Sequence, residues 1–119
     1  MIYNHNNPFA KILRKEINCK IIFENKTTLA FQDIKPQKKI HVLIIPKKEY
    51  YSYQEFLDKA SINEIGLFFL TISKITTKLN IHKKGYRMII NHAEWGGQEI
   101  NHFHVHILSG ENIGPMVIK

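Results

Sequence analysis

His102-Phe103-His104-Val105-His106-Ile107-Leu108 is the stretch from which the fold and the chemistry of this chain are read. Imidazoles alternate with apolar side chains. In a β-strand successive side chains point to opposite faces. The pattern therefore predicts a strand over 102–108, with three histidines on one face and Phe103, Val105 and Ile107 on the other. The apolar face suits a core. The other face carries groups that titrate near neutrality and can donate, accept, attack or bind metal. Solvated strand faces use varied polar residues, so three histidines in register point to chemistry.

Outward from this strand, Tyr86 to Asn91 (YRMIIN) reads as its predecessor, separated from it by a loop that contains Gly96-Gly97. Ser61-Ile62-Asn63-Glu64 is a capping box, and a helix is predicted from there to about Asn80. Ile65, Phe68, Phe69, Ile72, Ile75 and Leu79 form its apolar stripe. Leu67 and Leu70 fall on the opposite side, which suggests a second subunit packed there. Ile40 to Ile45 is almost continuously apolar and β-branched, as in a central strand buried on both faces and ended by Pro46. Lys20 to Phe23 and Thr28 to Phe31 read as two strands joined by a turn at Glu24-Asn25-Lys26, and Asp33 to Lys39 as a loop. Phe9 to Glu16 and Ser52 to Asp58 read as short helices. With one long helix and one or two short ones among five strands, most strands are hairpin-linked. The class is α+β, with a largely antiparallel sheet.

The chain has 119 residues, 44% of them hydrophobic, and no internal repeat or Gly/Pro/Ser-rich linker. Residues 1–119 read as one domain. A single cysteine excludes a disulfide framework within the chain. No apolar run is long enough to span a membrane, and the first residues lack the pattern of a secretory signal, so the cytoplasm is expected. Lys+Arg total 17 against 10 Asp+Glu, a net charge of +7. That excess points to anionic partners. The small clusters Lys38-Lys39, Lys47-Lys48 and Lys83-Lys84 lie in predicted turns and read as solvated loops. No nucleic-acid-binding motif is present.

Two chemical readings of the histidine row remain open at this level. His-x-His on a strand can chelate zinc, with His41, Asp33 or Glu99 as a third ligand. Alternatively, an imidazole attacks phosphorus in an anionic substrate. His41 lies early in the buried strand, where an unpaired imidazole is costly, so it is expected to pair with a member of the row. Gly96-Gly97-Gln98 offers backbone N–H groups for a phosphate.

The heptapeptide 102–108 resembles the histidine-triad (HIT) superfamily, and specifically the Hint branch of purine nucleoside phosphoramidases. Phe9 to Glu16, Ala30-Phe31-Gln32-Asp33-Ile34-Lys35-Pro36-Gln37, His41 to Lys48, Gly85 to Asn91 and Gly96-Gly97-Gln98-Glu99 resemble Hint segments in order and spacing. The resemblance runs from about Pro8 to Gly110 and implies a HIT-like fold. It implies that His104 is the nucleophile, that His106 contacts the phosphate and helps the leaving group, and that His102 and His41 support the nucleophile. It places Asp33 on the ribose hydroxyls, and Asn91 with Gly97, Gln98 and Glu99 on the phosphate side. Phe9, Ile12, Phe31, Ile34 and Leu43 line the base pocket. The implied reaction is hydrolysis of purine nucleoside 5′-phosphoramidates, with no metal or other cofactor, by a homodimer. A dinucleoside polyphosphate hydrolase and a nucleotide-binding regulatory protein are the alternatives. The chain departs from some relatives at Glu99, which replaces a serine, at Glu49, which replaces a supporting histidine, and at Trp95. Its tail, Glu111 to Lys119, lacks their tryptophan-containing end.

Overall fold

A computed structural model describes residues 2–118. Its elements are α1 (Pro8–Leu13), β1 (Ile21–Glu24), β2 (Thr28–Gln32), β3 (Ile40–Pro46), α2 (Tyr53–Lys59), α3 (Ile62–Lys78), β4 (Arg87–Ile89) and β5 (Val105–Ser109). The five strands form one sheet in the order β1-β2-β3-β5-β4. Every neighbouring pair is antiparallel, as the sequence predicts.

β3 lies at the centre and is buried from His41 onward. Its side chains alternate between two cores. Val42 and Ile44, with Val105 and Ile107 of β5, pack against Phe56 of α2 and Phe68, Ile72 and Ile75 of α3. Leu43 and Ile45, with Leu29 and Phe31 of β2, pack against Phe9 of α1. One face of the sheet therefore carries the long helix. The other is only partly covered by α1, which leaves room for a cavity.

Phe68, Ile72 and Ile75 of the predicted α3 stripe are buried, and Ile65, Phe69 and Leu79 pack at its margin. Ser61 caps α3, its Oγ accepting from the Glu64 N–H at 3.1 Å. The reciprocal half of the capping box is not made. The Glu64 carboxylate instead accepts from Tyr50 Oη at 3.0 Å and Lys48 Nζ at 3.3 Å, tying the helix to the segment after β3. Pro46 does not stop short of the ladder, since as the last residue of β3 it pairs with Thr28.

The main departure from expectation is at the histidine strand. β5 begins at Val105, so neither His102 nor His104 lies in regular strand. The Phe103 N–H donates to the Tyr50 carbonyl at 2.7 Å and draws the chain out of the ladder. The Phe103 ring stacks on Phe56 with centroids 4.8 Å apart. Alternation still holds for Phe103, Val105 and Ile107 in the helix-side core. His104 and His106 face the opposite side, and His102 is sealed inside with no exposed surface.

Candidate active site

On the α1 side of the sheet a cavity of about 510 Å³ opens, the size of a small-ligand site. His104 and His106 form its floor, with His41 beside them. Phe9 and Ile12 of α1, Phe31 of β2, Leu43 of β3 and Ile34 supply apolar wall. Asp33, Asn91, Gly97 and Glu99 complete the set that the sequence brings together here. Ile17, Asn18, Cys19, Lys35, Gln37 and Ile100 also line the cavity and were not anticipated.

Two of the predicted site residues lie elsewhere. His102 is buried behind the cavity rather than in it. The Gln98 amide holds the loop together, donating to Tyr51 O at 2.7 Å and Ile100 O at 3.0 Å while Oε1 accepts from the Ala93 N–H. The glycine turn is also less open than its sequence suggests. The Gly97 and Gln98 N–H groups are taken by Glu94 O and Ala93 O. Gly96 is required by close approach, because a Cβ there would lie 2.3 Å from His92 O. The N–H groups of Glu99 to His102 make no hydrogen bond among the described residues, and of these four residues Glu99 and Ile100 line the cavity, where their N–H groups are available to an anion.

Backbone groups settle which nitrogen of each imidazole carries its proton, because a carbonyl only accepts and an amide N–H only donates. The Gln37 N–H donates to His41 Nδ1 at 3.0 Å, so neutral His41 is protonated on Nε2. That Nε2–H lies 2.9 Å from His106 Nδ1 and 3.4 Å from Asp33 Oδ2. His106 Nδ1 is then an acceptor, and its own proton sits on Nε2. His104 is the reverse case. Its Nδ1–H donates to the His102 carbonyl at 2.7 Å, which leaves Nε2 with a free lone pair. The two imidazoles of the cavity floor are thus in opposite states. His104 offers a bare nitrogen, and His106 offers an N–H backed by His41 and Asp33. The expected pairing of His41 with the row is present, and its partner is His106.

Burial pushes the pKa of all four imidazoles down. Desolvation leads for His104, opposed by its bond to the His102 carbonyl and by the charges of Asp33 and Glu99. For His106, desolvation and then His104 and His41 bring the value to about 4. For His41, desolvation outweighs the pull of Asp33. His102 is pushed down to about 4, again mainly by desolvation. All four are neutral at pH 7, the state that the tautomer assignment requires.

The pH dependence of stability follows with a definite sign. An unfolded histidine takes up a proton near pH 6.5, whereas folded His102 does so only near 4. Between those values the unfolded chain binds more protons, so stability rises with pH. The urea midpoint is expected to be constant above about pH 7 and to fall steadily as pH drops from 6.5 toward 4. A midpoint that stays level from pH 7 to 4.5 would contradict this burial of neutral imidazole.

Asp33, His41 and His106 also place three ligand atoms within 4.8 Å of one another. A metal there would have to displace the His41–His106 hydrogen bond and remove the His41 Nε2 proton. The cluster is already satisfied as a relay.

The charges around the cavity are not those of the whole chain. Two carboxylates, Asp33 and Glu99, and one lysine, Lys35, line it. Other basic groups are paired on the surface, as in Lys47–Glu24, Lys48–Glu64 and Lys59–Glu55.

Residues 14–113 match the model of the HIT domain. The chain belongs to the HIT-domain family. It is 46% identical over 112 residues to an uncharacterised HIT-like protein of Rickettsia prowazekii, covering 94% of this chain and 93% of that one. It is 36% identical over 109 residues to the purine nucleoside phosphoramidase of Escherichia coli, covering 92% and 91% of the two chains. The crystal structure of a HIT family hydrolase from Legionella pneumophila superposes with a TM-score of 0.84 at 34% identity, covering 92% of this chain and 96% of that one. At the coarse level the HIT protein described here is a hydrolase of that family.

Proposed function

We propose that this HIT protein hydrolyses the P–N bond of purine nucleoside 5′-phosphoramidates through a nucleotidyl-His104 intermediate. The observation that carries the reading is the opposite protonation of the two cavity imidazoles. The His104 Nε2 lone pair attacks the α-phosphorus and forms a P–N bond, while its Nδ1–H stays on the His102 carbonyl. The substrate's own P–N bond breaks. The amine departs with one proton taken up from solvent, its nitrogen hydrogen-bonded by the His106 Nε2–H. Water then attacks the same phosphorus, releases the nucleoside monophosphate and restores His104. The free N–H groups of Glu99 and Ile100, with His106, would meet the charge that grows on the phosphoryl oxygens. Asp33 takes the ribose hydroxyls, and the walls of Phe9, Ile12, Phe31, Ile34 and Leu43 take the base.

The lining charges favour a phosphoramidate over a dinucleoside polyphosphate. A polyphosphate brings several negative charges to a cavity with one lysine and two carboxylates. An amine leaving group brings none. The discriminating assay compares adenosine 5′-monophosphoramidate with diadenosine polyphosphates at equal concentration. Faster turnover of the phosphoramidate supports the reading, and the reverse order moves it to the polyphosphate branch. AMP binding without turnover of either substrate would favour a regulatory protein.

The same reading makes residues 1–119 one HIT domain acting in the cytoplasm as a homodimer. No helix among the described residues is long and apolar enough to cross a membrane. The α3 side chains Leu67 and Leu70 are 46% and 67% exposed, and at the edge strand β4 Met88 and the preceding Tyr86 are also exposed. Leu67→Glu combined with Leu70→Glu is expected to give monomers by light scattering. A dimer in that double variant rejects the helix as the interface.

A further inference from the structure

The N-terminal segment ahead of α1 makes one contact that the mechanism above does not use. Tyr3 Oη lies 2.6 Å from His102 Nδ1, across 99 residues of sequence. The other ring nitrogen of His102, Nε2, lies 2.8 Å from the Pro46 carbonyl at the end of β3. That carbonyl can only accept, so the His102 proton is on Nε2. Nδ1 is then an acceptor, and the tyrosine hydroxyl is its donor. Burial raises the Tyr3 pKa, so the hydroxyl keeps its proton. The Tyr3 and His102 rings also meet edge-on at 5.6 Å.

We propose that Tyr3 is a positioning residue for the nucleophile, acting through His102. Both nitrogens of His102 are anchored, one to β3 and one to Tyr3, and this fixes the residue whose backbone carbonyl accepts the His104 Nδ1–H. That carbonyl sets both the tautomer and the orientation of His104. Tyr3 does not line the cavity.

The segment is held for this role at several points. His5 Nδ1 lies 2.6 Å from Glu49 Oε2, and Arg14 Nη1 donates to the His5 carbonyl at 2.8 Å. The Tyr3 and His5 rings meet edge-on at 5.2 Å. Glu49, just after β3, clamps the strap that carries Tyr3.

The role assigned to His104 rests on the phosphoramidase reading, so the test has one readout independent of turnover. Tyr3→Phe keeps the ring and removes only the hydroxyl. In 15N NMR of the full chain, the His102 Nδ1 resonance is expected to move downfield, toward an unprotonated nitrogen with no hydrogen bond. With adenosine 5′-monophosphoramidate, kcat is expected to fall about fivefold, the worth of one neutral hydrogen bond, with KM within about twofold of wild type. Tyr3→Ala, which also removes the ring, should lower kcat further and add a loss of thermal stability. An unmoved Nδ1 resonance in Tyr3→Phe overturns the hydrogen bond itself. A moved resonance with unchanged kcat overturns the positioning role. If wild type does not turn over the substrate, the phosphoramidase reading fails and takes this role with it, whatever the resonance does.

Discussion

His104→Ala is expected to lose at least about a thousandfold in phosphoramidate turnover, because the variant has no nitrogen with which to form the covalent intermediate. AMP affinity should change by less than about tenfold, since the ribose and base contacts lie on other elements. In the proposed reading those contacts belong to Asp33 in the loop before β3, Phe9 and Ile12 on α1, Phe31 on β2 and Leu43 on β3, all of which line the cavity. The His104 ring packs edge-on against Phe9 at 5.0 Å, so some loss of binding accompanies its removal. Single-turnover assays and AMP titration by calorimetry separate the two effects. A variant that retains more than about a tenth of wild-type turnover would mean that water attacks phosphorus directly, with histidines serving only as acid or base.

The second large effect is on stability. Phe103 is 1% exposed, stacks on Phe56 at 4.8 Å and meets Phe68 at 5.4 Å and Tyr53 at 5.7 Å. Phe103→Ala removes the ring around which α2, α3 and the start of β5 close. The expected cost is about 3–5 kcal/mol, against a total stability of about 5–15 kcal/mol for a domain of ordinary size. Phe103 also sits between His102 and His104 in the chain. Its ring anchors one side of this segment and the His102 side chain anchors the other. A chain loosened there should lose turnover even at temperatures where it remains folded. Urea titration measures the stability term, and a loss below about 1.5 kcal/mol would show that the core closes without this ring.

The coupling of Phe103 to the site explains which parts of the molecule could be read from sequence. Elements whose side chains all obey one period were legible. The α3 stripe follows from spacing and the two-faced burial of β3 from its continuous apolar run, and both are present. The histidine heptapeptide forms regular strand only where a neighbouring strand pairs with it. β3 pairs with β5 through Ile44↔Val105, and beyond that point the Phe103 N–H turns to Tyr50. His102 therefore lies outside regular strand, buried against Tyr3 and Phe9 behind the cavity instead of lining it. No local pattern announces this, because the deciding partner lies 53 residues upstream.

The same limit applies to polar partners. Ser61 as a helix cap was legible, whereas the turn of Glu64 toward Tyr50 and Lys48 was not. Glu64 had to choose between a local amide and two distant donors, and only the fold brings those donors near. The protonation states of His41, His104 and His106 depend on the Gln37 N–H and the His102 carbonyl. Backbone groups carry no residue-specific signal, so the chemistry of the relay is invisible until the chain is folded. The net charge of +7 pointed to an anion but not to its place, since among the described residues Lys35 is the one lysine or arginine that lines the cavity.

The most direct measurement mixes wild-type protein with adenosine 5′-monophosphoramidate, quenches in base within the first turnover and locates any adduct by peptide mass spectrometry. Base preserves a phosphorus–imidazole bond that acid would break. The expected result is an adenylyl group on His104 that forms and decays at rates consistent with kcat. Turnover with no adduct at any histidine, or with the adduct on His106, would contradict the assignment of the bare His104 Nε2 as nucleophile.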